Sequence, residues 1–428
     1  MMPFSRRRFL QVGSTAAAAA VITEAAAAEC NSKLPASIAS LKSMKDQAKP
    51  ISAEERTARV ERARQLMAEN RLQAIVVTYG SSLPYYSAVH WWPSERFFAM
   101  VLPAKGNVFF VCPAFEEGRA REQLAIGPFG AKADVRVWQE DEDPYLRVAQ
   151  GLRDLGLTSG VVGIEEKTPF VFSNGIATHV PAMQMTSATP VTAGCRMIKS
   201  EHELSLMRLA AKVSITAYEA AYRALKPGMT QQEFDGLVET AHTQLGFHGG
   251  ADAQVGEFSA TPHGSIQPQV IREGTIVLMD GGCTVEGYAS DISRTFVLGK
   301  PTAKMNQIFD IVYRAQSAAL AAARPGVACE SIDAAARKVV IEGGYGPGFK
   351  YFTPRVGHGM GLDGHEWPYL VPGNTTVVRA NMVFSDEPGI YLPGEFGVRI
   401  EDDMHITGDG AELLTPRSPS LEHPFGNG

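Results

Sequence analysis

Val277-Leu278-Met279-Asp280-Gly281-Gly282 and, further along, Tyr288-Ala289-Ser290-Asp291-Ile292-Ser293-Arg294-Thr295-Phe296 set one carboxylate at the end of an apolar run and another at the head of the next. The runs read as two strands, with Gly281, Gly282 and Gly287 supplying turn chemistry between them. Such a hairpin brings both aspartates to one end. The scheme recurs downstream: Met382 to Phe384 precede Glu387, Pro393-Gly394 makes a turn, and Val398 to Ile400 run into Glu401. Side chains two apart share a strand face, so Arg399 falls on the face of Glu401 and Ile400 on the other. Between the two units, Gly357-His358-Gly359-Met360-Gly361 reads as a glycine-rich loop that offers an imidazole and lets a ligand come close to the backbone.

Asp280, Asp291, His358, Glu387 and Glu401 thus form a set of four carboxylates and one histidine. A single buried Asp or Glu in a strand is usually a hydrogen-bonded structural group. Four buried near one another repel strongly without a cation among them. An oxygen-rich set with one imidazole favours Mn²⁺, Fe²⁺, Co²⁺ or Zn²⁺ over Cu(I) or an iron–sulfur cluster. Two such ions, about 3.5–4 Å apart, share a bridging water, lower its pKa and polarise a carbonyl. The set points to a dinuclear metallohydrolase.

With all five motifs in order, the span from Cys195 to Thr415 resembles the pita-bread metallopeptidases, among them methionine aminopeptidase, prolidase, aminopeptidase P and the metal-free creatinase. The resemblance implies an α/β N-terminal domain followed by an α+β pita-bread catalytic domain with internal pseudo-duplication. It implies that Asp280 holds one metal, that His358 and Glu387 hold a second, and that Asp291 and Glu401 bridge them. Two divalent ions are expected, manganese first, with cobalt, zinc and iron as the alternatives. The same resemblance places His263 (in Ala260-Thr261-Pro262-His263-Gly264) and His365 towards substrate. Tyr391 and Arg399 fall where aminopeptidase P carries a hydrogen-bonding Tyr and Arg around the metal carboxylates, and are expected with the two histidines among the substrate-binding residues. The implied reaction is cleavage of Xaa-Pro bonds, in dipeptides or at peptide N-termini, by a metal-bridging hydroxide whose proton Glu387 moves to the leaving nitrogen. A small peptide is the expected partner and a homodimer the expected assembly.

Both substrate-facing histidines have local readings as well: His263 as a turn residue beside Pro262, His365-Glu366 as a loop cap. Neither is needed as a ligand, so both are free to hydrogen-bond a tetrahedral intermediate or pass a proton. Two departures bear on specificity. Pro354 stands where Xaa-Pro-cleaving relatives commonly carry a further histidine, and bulky Trp367 follows His365-Glu366. Trp91-Trp92 reads equally as part of a substrate entrance and as aromatic packing of the N-terminal domain. The alternative function is a non-peptidase enzyme on the same fold, like a metal-dependent dimethylsulfoniopropionate lyase or a creatinase. A peptide-binding module without catalysis is disfavoured by the intact ligand set.

At the other end, Ser5-Arg6-Arg7-Arg8-Phe9-Leu10 precedes an Ala-rich apolar stretch from Val12 to Val21 and then Ala26-Ala27-Ala28. Charge, short apolar run and small-residue cleavage site in that order read as a twin-arginine export signal over residues 1–28, giving a periplasmic or secreted enzyme. The stretch is too short and weakly apolar to stay in a bilayer. Export of a folded chain lets the cytoplasm choose the metal, where affinity order alone would favour copper or zinc over manganese.

The remaining sequence fits a soluble two-domain enzyme. A net charge of −6 with mixed signs leaves no basic stripe for nucleic acid. The cysteines (Cys30, Cys112, Cys195, Cys283, Cys329) show no metal-binding spacing. Residues 29–50 read as a polar linker. The segment 51–194 alternates a helix at Ala53–Asn70, strand-like runs at Ala74–Val77, Met100–Leu102, Val108–Val111 and Val161–Ile164, and a helix at Pro144–Leu155, which is the pattern of a small α/β domain. In 195–428, Ser200…Glu203 and Thr230…Glu233 are capping boxes that open paired helices. A second helix pair, Asn306–Ala323 and Ser331–Glu342, precedes the second ligand set, so the metals are expected between two similar halves.

Overall fold

The structure is a computed structural model and describes residues 34–426. The export signal expected over 1–28 and Cys30 lie outside the described residues. No helix among the described residues is long and apolar enough to cross a membrane.

The N-terminal half is built on a six-stranded mixed sheet in the order β4-β3-β2-β1-β5-β6. Its strands are β1 (Ala74–Val77), β2 (Ala99–Pro103), β3 (Phe109–Pro113), β4 (Asp134–Trp138), β5 (Gly160–Ile164) and β6 (Met183–Ser187). Strand side chains alternate between faces. Ile75, Val77, Met100, Leu102 and Phe110 therefore pack on one side with the helix Ala53–Glu69, and Val76, Val101, Phe109 and Val111 on the other with the helix Tyr145–Asp154. With both faces covered, these strands are continuous apolar runs, which is why the sequence shows them plainly. The two edge strands, β4 and β6, are not legible in that way. β4 (Asp134-Val135-Arg136-Val137-Trp138) is mostly half-buried, β6 (Met183-Gln184-Met185-Thr186-Ser187) is mostly exposed, and both lack a sustained apolar run.

Three further expectations change. Residues 34–50 are not a loose linker. Leu34, Ile38, Leu41 and Met44 pack on the helices Glu201–Ala224 and Gln231–Leu245, Ser37 Oγ donates to the Ala220 carbonyl (2.8 Å), and the Met44 N–H donates to Leu245 (2.9 Å). Gly281 and Gly282 are not the turn; they lie inside β8 (Ile276–Val285). The reversal is at Glu286-Gly287, both with positive φ, between β8 and the short β9 (Tyr288–Ala289). Gly282 is needed inside the strand because a Cβ there would run into the Ser290 carbonyl. Lastly, His358 is not on a loop but at the centre of a short strand.

In the catalytic half, β7 (Gly249–Val255), β8, β9 and β10 (Ile292–Val297) form one sheet, with β8 paired to β7 and β10. A second sheet runs β12-β11-β13-β16-β17, from β11 (Gly357–Gly359), β12 (Glu366–Leu370), β13 (Val383–Asp386), β16 (Asp402–Ile406) and β17 (Ala411–Leu413). Between them stands the hairpin β14 (Gly389–Leu392)–β15 (Phe396–Arg399). Each sheet is backed by its helix pair. Glu201–Ala224 and Gln231–Leu245 open with the two expected capping boxes, Ser200 with Glu203 and Thr230 with Glu233. Ala303–Ala322 and Cys329–Glu342 back the second sheet. Val277 and Met279 of β8 pack against the first pair through Tyr218, Phe234 and Val238. Asp280, one residue on, therefore faces the other half.

Candidate metal centre

Each expected ligand sits within or next to a strand that faces the gap between the halves. Asp280 is in β8, Asp291 precedes β10, His358 is the middle residue of β11, Glu387 follows β13, and Glu401 lies between β15 and β16. The β8–β10 register opposes Ser293 to Asp280, and β13–β16 pairing brings the segments bearing Glu387 and Glu401 side by side. Gly357 lets β11 lie against β13 at closest approach, since a Cβ there would meet the Ser385 carbonyl.

The ligand atoms of Asp280, Asp291 and Glu401 all lie within 4.8 Å of one another, as do those of His358, Glu387 and Glu401. The two sets share Glu401 and together hold all five residues. A third set at the same spacing joins Asp291, His358 and His365. His358 Nε2 stands 3.3 Å from Glu387 Oε1 and 3.7 Å from Asp291 Oδ2. Its Nδ1 donates to the Gly359 carbonyl at 3.2 Å, which leaves the Nε2 lone pair directed at the carboxylates. Oxygen donors with one outward-held imidazole nitrogen suit a divalent first-row cation.

The electrostatics agree with a cationic occupant. Burial, and then the charges of Asp280, Asp403 and Glu387, push the Asp291 carboxyl well above the usual range. Burial and the charges of Asp291, Glu387 and Asp280 do the same to Glu401. Burial also raises Asp280, but Arg399 and the Ser293 hydroxyl outweigh it and leave that carboxyl below its ordinary value. A divalent ion among these groups would offset the mutual repulsion that raises Asp291 and Glu401.

Arg399 organises one flank. It is 4% exposed, contacts Asp280 at 2.5 Å, and donates to Ser293 Oγ (2.8 Å), the Tyr391 hydroxyl (2.9 Å) and the Pro262 carbonyl (3.1 Å). Tyr391 thus reaches the carboxylates through Arg399. The Pro262 contact steadies the residue before His263, which is exposed and whose charge acts on both Asp280 and His365. His365 is exposed too, and its Nδ1 lies 3.3 Å from Arg355 Nη2. Trp91 and Trp92 stack on each other, with Trp91 on Phe98, within the N-terminal domain.

Several contributors escape sequence reasoning. Ser293 Oγ lies 2.5 Å from Asp280 Oδ1 and 2.6 Å from Glu401 Oε2, joining a ligand of each half. Arg294 and Asp402, both fully buried, pair at 2.6 Å behind the ligands, and Arg294 also donates to the Glu401 carbonyl at 2.8 Å. Asp403 accepts the Asp291 N–H at 3.1 Å. Their adjacency to Asp291 and Glu401 in sequence was the available signal.

Residues 205–408 match the model of metallopeptidase family M24, and residues 59–198 that of the creatinase/prolidase N-terminal domain. The probable dipeptidase PepE of Mycobacterium tuberculosis is 36% identical over 80% of this chain and 90% of its own length. The chain belongs to metallopeptidase family M24. It is also 31% identical to the Xaa-Pro dipeptidase of Lactobacillus delbrueckii subsp. lactis, over 83% of this chain and 95% of that protein. Among solved structures, dipeptidase PepE from Mycobacterium ulcerans matches with a TM-score of 0.81 and 32% identity, covering 87% of this chain and 99% of that one. The α/β N-terminal domain and pita-bread catalytic domain expected from the sequence are therefore correct, and this M24 protein is a metallopeptidase.

Proposed function

We propose that this M24 enzyme hydrolyses Xaa-Pro dipeptides, working with two divalent ions, manganese first, held by Asp280, Asp291, His358, Glu387 and Glu401. The observation that carries the reading is the pair of three-ligand sets that share Glu401, one oxygen-only and one containing His358. Similarity to proteins named as dipeptidases over nearly their whole length supports the substrate class. When bound, such ions supply an activated water and polarise the scissile carbonyl.

The side chains divide the remaining work. Glu387 Oε1, 3.2 Å from the Ser385 hydroxyl, takes a proton and passes it to the leaving nitrogen. Partial burial, His358 and Arg355 pull the His365 imidazole down to about 4, so it is neutral at neutral pH. Arg355 donates to its Nδ1, which leaves the proton on Nε2 as a hydrogen-bond donor to the developing oxyanion. His263 anchors the substrate backbone. Arg399 and Tyr391 hold Asp280 in place.

The enzyme is proposed to work outside the cytoplasm as a homodimer, folded and metal-loaded before the twin-arginine signal delivers it. Metal-loaded protein assayed against Xaa-Pro dipeptides, Xaa-Pro-Yaa peptides and dimethylsulfoniopropionate tests the substrate class. Turnover greatest on the dipeptides is the expected result. Turnover of dimethylsulfoniopropionate alone would replace the peptidase reading with a lyase, and preference for the longer peptides would make the enzyme an aminopeptidase.

A further inference from the structure

The loop between β11 and β12 carries His365 and is gripped by the N-terminal domain through charge. Asp363 sits at its centre. Its Oδ1 accepts from the Ser81 hydroxyl at 2.7 Å, and its Oδ2 lies 2.7 Å from Lys167 Nζ. Ser81 follows β1 and Lys167 follows β5, so both belong to loops at one edge of the N-terminal domain's strands. The Asp363 N–H donates to Glu366 Oε1 at 3.0 Å, and Glu366 in turn lies 3.4 Å from Arg196 Nε and 3.8 Å from Lys199 Nζ. Arg196, 5% exposed, also stands 3.4 Å from Glu166 and 3.8 Å from both Glu165 and Asp363, and donates to the Ser82 hydroxyl.

His365 lies between Asp363 and Glu366 in sequence; Asp363 is held by Ser81 and Lys167 of the N-terminal domain, and Glu366 by Arg196 and Lys199 at the junction that follows it. The histidine itself is exposed, and its ring is set by the backbone that carries it, by Arg355 and by stacking on His358. Gly364 precedes it in open space, so the loop is anchored ahead of that point, by Leu362 packed on the N-terminal core and by the Asp363 contacts. We propose that the Lys167–Asp363 and Arg196–Glu366 contacts position His365 over the metal carboxylates, making the N-terminal domain a determinant of catalysis in its own chain. This rests on the reading that His365 acts on substrate.

Lys167 is the residue to change, because its side chain is 49% exposed and its removal spares the buried Arg196. Lys167→Met is expected to lower kcat on an Xaa-Pro dipeptide about tenfold, less than the roughly 10²-fold that a 1 Å misplacement costs. KM, metal content and melting temperature stay at wild-type values, and Lys167→Arg restores kcat. The decisive measurement is the double variant. Lys167→Met added to His365→Ala is expected to cost nothing further, since a residue that acts through His365 has nothing left to position. Wild-type kcat for Lys167→Met, beside a His365→Ala variant that has lost activity, overturns the positioning role. So does an undiminished tenfold loss on the His365→Ala background. A His365→Ala variant with full activity overturns instead the reading of His365 itself, and the single variant alone reveals it.

Discussion

The imidazoles of His358 and His365 stack, with ring centroids 3.8 Å apart and planes at 27°. One ring is 1% exposed and turns its Nε2 to Glu387 and Asp291; the other is exposed and receives Arg355 at Nδ1. Two similar side chains in face contact thus have opposite environments. The buried one has a lone pair held ready for a cation, and the exposed one a proton held ready for an oxygen.

That division predicts different failures. His358→Ala should lose metal, because the imidazole is the single nitrogen of its ligand set. His365→Ala should keep its metal and lose roughly 10²–10³ in kcat, the effect of deleting one oxyanion donor. Elemental analysis beside kcat for each variant checks this. Equal metal loss in both would make His365 a ligand, as its place in the third cluster allows.

Ser293 has one proton to donate, yet both Asp280 and Glu401 lie within 2.6 Å of its oxygen, while Arg399 donates to it. The hydroxyl can satisfy one carboxylate at a time, and the other needs its own proton or a cation. Ser293→Ala should weaken metal binding by roughly 10–100-fold, the usual effect of losing a group that orients ligands. Ser293→Thr should retain affinity. Competition with a chromogenic chelator measures it, and unchanged affinity in the alanine variant would remove Ser293 from the metal site.

The parts of this molecule legible in its sequence are those with local causes. The ligand carboxylates stand out because apolar strands rarely end in paired acids, and the capping boxes at Ser200 and Thr230 are four-residue signals. Ser293, Arg196 and Arg355 are another matter. Arg399 reaches Ser293 across 106 residues and Ser81 reaches Asp363 across 282, and no period or spacing records such contacts. The docked segment 34–50 was missed for a related reason. Its Ile38 and Met44 are scattered among polar residues and gain meaning only from the helices they meet.

Export can be tested apart from chemistry. Replacing Arg6 and Arg7 with Lys should retain the enzyme in the cytoplasm, folded and active, because a twin-arginine signal is read by a receptor. Fractionation followed by the dipeptide assay gives the answer. Unchanged recovery outside the cytoplasm would show that the N-terminus is not a twin-arginine signal.

Glu165 makes the last prediction, on stability. Burial, partly offset by Ser82 and Arg196, raises its carboxyl from an ordinary value of 4.5 to about 7. Its Oε2 is buried without a hydrogen-bond partner among the described residues, and Arg196 is 3.8 Å from the other oxygen. A carboxyl with a higher pKa in the folded state binds its proton more tightly there. Its contribution to stability is complete below pH 4.5 and is lost as pH rises through about 7. Glu165→Gln cannot ionise and escapes that loss. The variant should match the wild type near pH 4.5 and exceed it above pH 7, by at most about 3 kcal/mol for a shift of roughly 2.5 units at 1.36 kcal/mol each. Urea melts at pH 5 and pH 8 check the sign. A variant weaker than wild type at pH 8 would mean that ionised Glu165 and Arg196 hold the domain junction together, and that their attraction exceeds the cost of burying the charge.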